Sequence, residues 1–410
     1  MAKTIQNWLR ISFLNLLIVS FIGIILRYKI AFSFPLIDQK HLLHGHSHFA
    51  FAGWITQVIM TLLVWMHSKN LAKNLFIKYR WMLLLNLITA YGMLIAFALQ
   101  GYGVYSITFS TLSIINSYVF GIIFWKDLNA SNTQLNSFFW YKAAILFNML
   151  SSLGAFGLSF LMINTSSNQN YYLLSVYFYL HFQYNGWFFF SIMGLLIAQI
   201  EKLGIPHKRL KIIFWIFASA CVPAYFLSAL WLTIPIIGYA IIVLAALGQC
   251  IGWAYLLKNI FEKKLQFKQT FLKQSRWLLV LAAIAFSIKI SLQLFSTIPT
   301  LSQWAFGFRP IVIGYLHLML LGVITLFIIG FIHAAGFFQI NNYIKTGIIV
   351  FVEGIVINQL LLMIQGMEAI IYIGIPYMNE FLFIAAIIMF TGLLLFNLGH
   401  SRQHDLTQIK

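Results

Sequence analysis

The chain has 410 residues, of which 61% are hydrophobic and 8% charged, with a formal net charge of +18. A soluble domain carries about 25% charged residues, so this composition excludes a water-facing surface over most of the protein and makes lipid the expected solvent. The basic residues sit in short stretches between apolar runs, a pattern of topology signals that argues against a nucleic-acid partner.

A bilayer-spanning helix needs about 20 largely apolar residues. Such segments fall in chain order near 8–27, 46–66, 80–100, 104–125, 139–163, 171–199, 211–231, 235–257, 276–297, 310–332, 345–366 and 378–398. The first ends in Ile-Ile-Leu-Arg27 with no small-residue cleavage site, so it is expected to be retained rather than removed as a signal peptide. The expected fold is all-α, about twelve transmembrane helices in a single polytopic membrane domain over 1–410. With a cytoplasmic N-terminus, 21 of the 26 basic residues fall on the cytoplasmic side. Arg27, Lys29, Lys40 and Arg309 fall outside, and Lys289 lies within the ninth helix. The bias predicts a multi-pass protein of a bacterial inner (plasma) membrane with both termini cytoplasmic. Cys221 and Cys250 lie in apolar segments and form no C-x-x-C pair, so no disulfide framework, zinc knuckle or covalently attached heme is expected.

The second helix contains His48-Phe-Ala-Phe-Ala-Gly53-Trp54. The sixth contains His181-Phe-Gln-Tyr-Asn-Gly186-Trp187, and the tenth His317-Leu-Met-Leu-Leu-Gly322-Val323. Each is His-x4-Gly on every fourth helix, which predicts three pseudo-symmetric four-helix repeats sharing one membrane orientation. An imidazole at that depth needs a partner or a ligand, and neutral imidazole is a good ligand for heme iron or copper. The glycines leave room for a flat group or for a neighbouring helix. The start of the second helix adds His41, His44 and His46, with 41, 44 and 48 on one helical face and His46 pointing elsewhere. At the position of His46 the other repeats carry Tyr179 and Tyr315. Glu353 and Lys289, ionisable residues inside helices eleven and nine, are candidates for a proton path. His67, His207, His333, His400 and His404 are expected at interfaces or in loops.

Twelve helices with histidines on the second, sixth and tenth resemble subunit I of the heme–copper oxidase superfamily, which includes the oxygen and nitric oxide reductases. The resemblance covers the whole chain in topology and three short motifs in sequence. It implies a low-spin heme, expected to be b-type, held by a helix-two histidine (His48, with His44 and His46 as rivals) and by His317. Arg309 would then pair with the heme propionates, and His181 would be a metal ligand, with copper as the second expected metal. Two departures are marked: Tyr315-Leu-His317 stands where that family has His-x-His, and the seventh helix, Phe217-Ala-Ser-Ala-Cys221-Val-Pro223-Ala-Tyr225, has no histidine. The resemblance therefore implies electron transfer or small-gas (O2/NO) handling, with the catalytic site lost or rebuilt around Tyr315 or a helix-two histidine. The chain is also similar to NnrS-like heme and copper membrane proteins of the nitric oxide response, in length and in its tenth helix. Outside these families, the His41–His48 cluster fits a copper or heme transporter. An electron source would be a partner subunit or a membrane quinol.

Overall fold

The computed structural model describes residues 2–131, 135–163 and 168–408, with all of their side chains except those of 163, 274, 304–306 and 402–408. It is all-helical, with no strand among the described residues. The helices are α1 (Ala2–Ala31), α2 (Gln39–Leu71), α3 (Phe76–Gln100), α4 (Val104–Asn129), α5 (Asn136–Ile163) and α6 (Gln169–Leu203). After them come α7 (His207–Cys221 and Pro223–Ala229), α8 (Ile236–Glu262), α9 (Lys273–Phe295), α10 (Arg309–Ala334), α11 (Asn342–Ile371) and α12 (Met378–Gln408). Eleven are long and apolar enough to cross a membrane, and the two pieces of α7 together make a bent twelfth. The chain is a multi-pass membrane protein.

Side chains cap the starts of three of the helices. Asp38 accepts from the His41 amide at 2.8 Å, Asn168 from Asn170 at 3.0 Å and Asn341 from Ile344 at 2.9 Å. These side chains satisfy backbone donors that have no partner within the helix. The Asp38 cap starts α2 at Gln39, seven residues before the hydropathy limit, so the four clustered histidines lie in its first three turns. The expected single helix over 211–231 is instead bent by 42° at Cys221–Pro223, because proline has no N–H to donate and its ring crowds the preceding turn.

The helices sort into two compact units, residues 1–120 with 335–410, and residues 121–334. In the first unit α2 is central, with 94% of its most apolar window buried; in the second α6 is central, at 83%. By contrast α4 is only 22% buried over its window. Outward faces such as Ile88, Ile95 and Leu99 of α3 and Leu244 and Ile251 of α8 are large, apolar and exposed, as a lipid-facing surface requires. A helix wrapped by its neighbours is where polar chemistry can be held away from lipid, and both central helices are histidine-bearing ones.

Candidate functional site

In the first unit, the histidines of α2 divide between two neighbours. The His41 ring lies against Gly101 at the end of α3, where an added Cβ would come within 2.5 Å of it. His44 meets Tyr102 edge-on at 4.7 Å, and His48 stacks on Phe97 at 4.3 Å with the planes 9° apart. His46 faces the other way, toward Gly23 of α1. The Nε2 of His44 is buried with no hydrogen-bond partner, and no hydrogen bond reaches either ring nitrogen of His48 among the described residues. A buried imidazole nitrogen normally finds a partner, so the His44 ring carries an unmet hydrogen-bonding atom.

Immediately after His48 the helix changes. Residues Ala50–Thr56 form a π-helical turn around Gly53, whose missing side chain leaves room for the Phe49 ring. A π-turn breaks the regular i to i−4 ladder and releases carbonyls. Two asparagines of neighbouring helices collect them. Asn15 of α1 donates to Gly53 O at 2.6 Å and accepts from Tyr91 at 2.7 Å; Asn86 of α3 donates to Ala52 O at 3.0 Å and to Gln57 Oε1 at 2.8 Å. The other two His-x4-Gly segments also pass into π-turns. His181 is followed by a π-turn at Phe182–Phe188 and His317 by one at Leu318–Thr325, each enclosing its glycine. Gly186 makes room for Phe147 of α5, and Gly322 for Ala285 of α9. Each of the three glycines thus makes room for a protein side chain.

In the second unit, His181 is 1% exposed and fully engaged. Asn185 Nδ2 donates to its Nδ1 at 3.1 Å, so the proton sits on Nε2, which donates to the Cys221 carbonyl at 2.9 Å. His317 is half-buried and its Nδ1 donates to Ile313 O at 2.8 Å, which places the lone pair on Nε2. The Tyr315 hydroxyl is buried without a hydrogen-bond partner, its ring edge-on to Tyr184 at 6.2 Å. Arg309 is exposed in the first turn of α10. Lys289 is 2% exposed, its ammonium 5.4 Å over the Phe286 ring, with no hydrogen bond or ion pair among the described residues. Glu353 in the first unit lies on the exposed face of α11 rather than in the interior.

The histidines expected at interfaces split. His207 is exposed, as expected, and meets Asn136 at 2.6 Å. His67, His333 and His400 are instead buried, at 1%, 2% and 2%, while the His404 side chain lies outside the described residues. His400 is enclosed by Phe13, Phe338 and Phe396 at 4.9, 4.4 and 4.4 Å, with Arg10 over the Phe338 ring at 5.7 Å. Hydropathy ends the last span near 398, yet α12 continues to Gln408, so His400 is packed within a helix instead of lying in a tail.

The donor sets distinguish the two expected cofactors. One imidazole can fill an axial heme position; among the described residues His44 and His48 have ring nitrogens without a hydrogen bond, and the Ile313 carbonyl fixes the tautomer of His317. A copper site needs several converging ligands, and no group of three or more His, Cys, Asp or Glu that could hold a metal is found among the described residues. With both nitrogens of His181 already hydrogen-bonded, the residues here do not fit copper. No family model and no curated protein sequence matches the chain.

Proposed function

We propose that this chain is a heme-binding membrane protein organised like subunit I of the heme–copper oxidases, as three four-helix repeats whose histidine helices are α2, α6 and α10. One observation carries the reading: all three His-x4-Gly segments pass into a π-helical turn within two residues of the histidine. Such turns are rare and concentrate at functional sites. Three at repeat spacings of 133 and 136 residues support a duplicated device for holding an imidazole near the start of a helix. The candidate axial ligands are His48 and His44 in the first unit and His317 in the second.

When bound, heme would supply one-electron transfer and, at an open iron position, binding of a gas such as O2 or NO. The protein's part is to orient the imidazoles: the carbonyl of Ile313 fixes the tautomer of His317, and Phe97 fixes the ring plane of His48. Copper has no part in this reading. Electrons would come from a partner subunit or a membrane quinol, and the basic-residue bias supports an inner membrane location with cytoplasmic termini.

The test is the reduced-minus-oxidised visible spectrum of protein purified in mild detergent, with and without carbon monoxide. The reading expects a stoichiometric Soret band altered by His317→Ala and by His48→Ala or His44→Ala, each made singly. Colourless protein after expression with ample heme would overturn it and favour a transporter.

A further inference from the structure

Glu353 is the one acidic residue within the interior of a membrane span; the other seven lie in connections or near helix ends. It stands 11 residues into α11, about 16 Å along the axis at 1.5 Å per residue. The opposite face of α11 is sealed against α12, where Gly347 and Gly354 bring the backbones together. Glu353 is exposed, in a stripe with Ile349, Val356, Ile357, Leu360, Met363 and Met367, each between 39% and 59% exposed. A carboxyl facing hydrocarbon alone is costly, and such residues normally face protein or water. Among the described residues no cation forms an ion pair with it.

We propose that a second copy of this chain covers the stripe, α11 packing on α11 across a two-fold axis beside Glu353, with the two carboxyls hydrogen-bonded to each other. Two-fold homodimers are the commonest oligomers and present the same patch on both copies. A carboxyl is its own complement, because one oxygen donates while another accepts. Two carboxylates would repel, so the pair holds at least one proton. In lipid, where apolar burial gives no net drive, an interhelical hydrogen bond of this kind adds to van der Waals packing in holding helices together. The proposal does not depend on the heme reading.

The test is the mass of the full chain in lipid nanodiscs, with disulfide trapping under a mild oxidant. The unsubstituted protein is expected to be a dimer. Glu353→Gln, which can still donate and accept, should keep it, and Glu353→Ala should weaken it about tenfold. Glu353→Cys should trap a covalent dimer, whereas Leu244→Cys on α8 should not; the unsubstituted protein, with Cys221 buried and Cys250 half-buried, gives the background. A monomeric mass, a dimer indifferent to Glu353→Ala, or a distinct co-purifying subunit lost in that variant would each overturn it.

Discussion

Gly101 stands at φ +64°, ψ −137°, a conformation essentially closed to side chains, and its bare Cα accommodates the His41 ring. Gly101→Ala should therefore cost roughly 1–3 kcal/mol in detergent melts. The double variant Gly101→Ala with His41→Ala should recover only part of it, because removing the ring relieves the clash and leaves the backbone strain. Asn86 bears on the same helix from inside the bundle. Asn86→Leu strands the Ala52 carbonyl and the Gln57 amide, whose Nε2 already lacks a partner, and should lower stability by about 1–3 kcal/mol per stranded group. Outside the membrane, the backbone N–H of His41 holds the Asp38 carboxyl below its ordinary value of 3.8. A lowered folded-state value stabilises at pH above that range and is lost as pH falls through it. Fraying at the start of α2 should thus appear in acid, read as faster amide exchange at His41, and Asp38→Asn, which keeps an uncharged acceptor, should abolish that pH dependence.

At the scale of elements, the α11–α12 seam depends on absent side chains. A Cβ on Gly392 would lie 2.4 Å from Phe351 N, a backbone atom that cannot swing aside, whereas one on Gly248 of α8 would meet Ile216 at an ordinary 3.9 Å. Gly392→Ala should cost about 1–3 kcal/mol by overpacking while Gly248→Ala stays near neutral, compared side by side in thermal melts. These elements also mark what sequence can show. Hydropathy locates each helix because burial in lipid is a property of about 20 neighbouring residues at once. It misses the π-turns; the one in α2 is held by Asn15 and Asn86, 38 and 34 residues from the carbonyls they bond. The repeated His-x4-Gly motif points to the right turns without saying that the ladder changes there. Nor can a motif show that Asn185 and Cys221 occupy both nitrogens of His181, since that requires the fold of α6 against α7.

For the molecule as a whole, hydropathy counts helices and the basic-residue bias gives an expected orientation, but the number of crossings turns on α7. Eleven helices span on their own criteria, and the twelfth crossing exists only if His207–Cys221 and the bent Pro223–Ala229 piece traverse together. The sequence treats 211–231 as one apolar run, and the break at Pro223 makes that a question of topology. Cysteine labelling answers it. Between Lys268, beyond α8, and Tyr372, beyond α11 and 86% exposed, lie three uninterrupted helices, so the two positions must sit on opposite sides of the membrane. Between Lys3 and Lys268 lie eight helices if α7 crosses and seven if it does not. In intact cells a membrane-impermeant maleimide should label Tyr372→Cys alone, with Lys3→Cys and Lys268→Cys reacting only after the membrane is opened. That outcome makes the bent helix a full crossing and agrees with the clustering of basic residues on one side. Labelling of Lys3→Cys together with Tyr372→Cys would instead make α7 re-entrant and put the N-terminus outside. It would also remove the parity that gives α2, α6 and α10 a common direction, and with it the threefold repeat on which the heme reading rests.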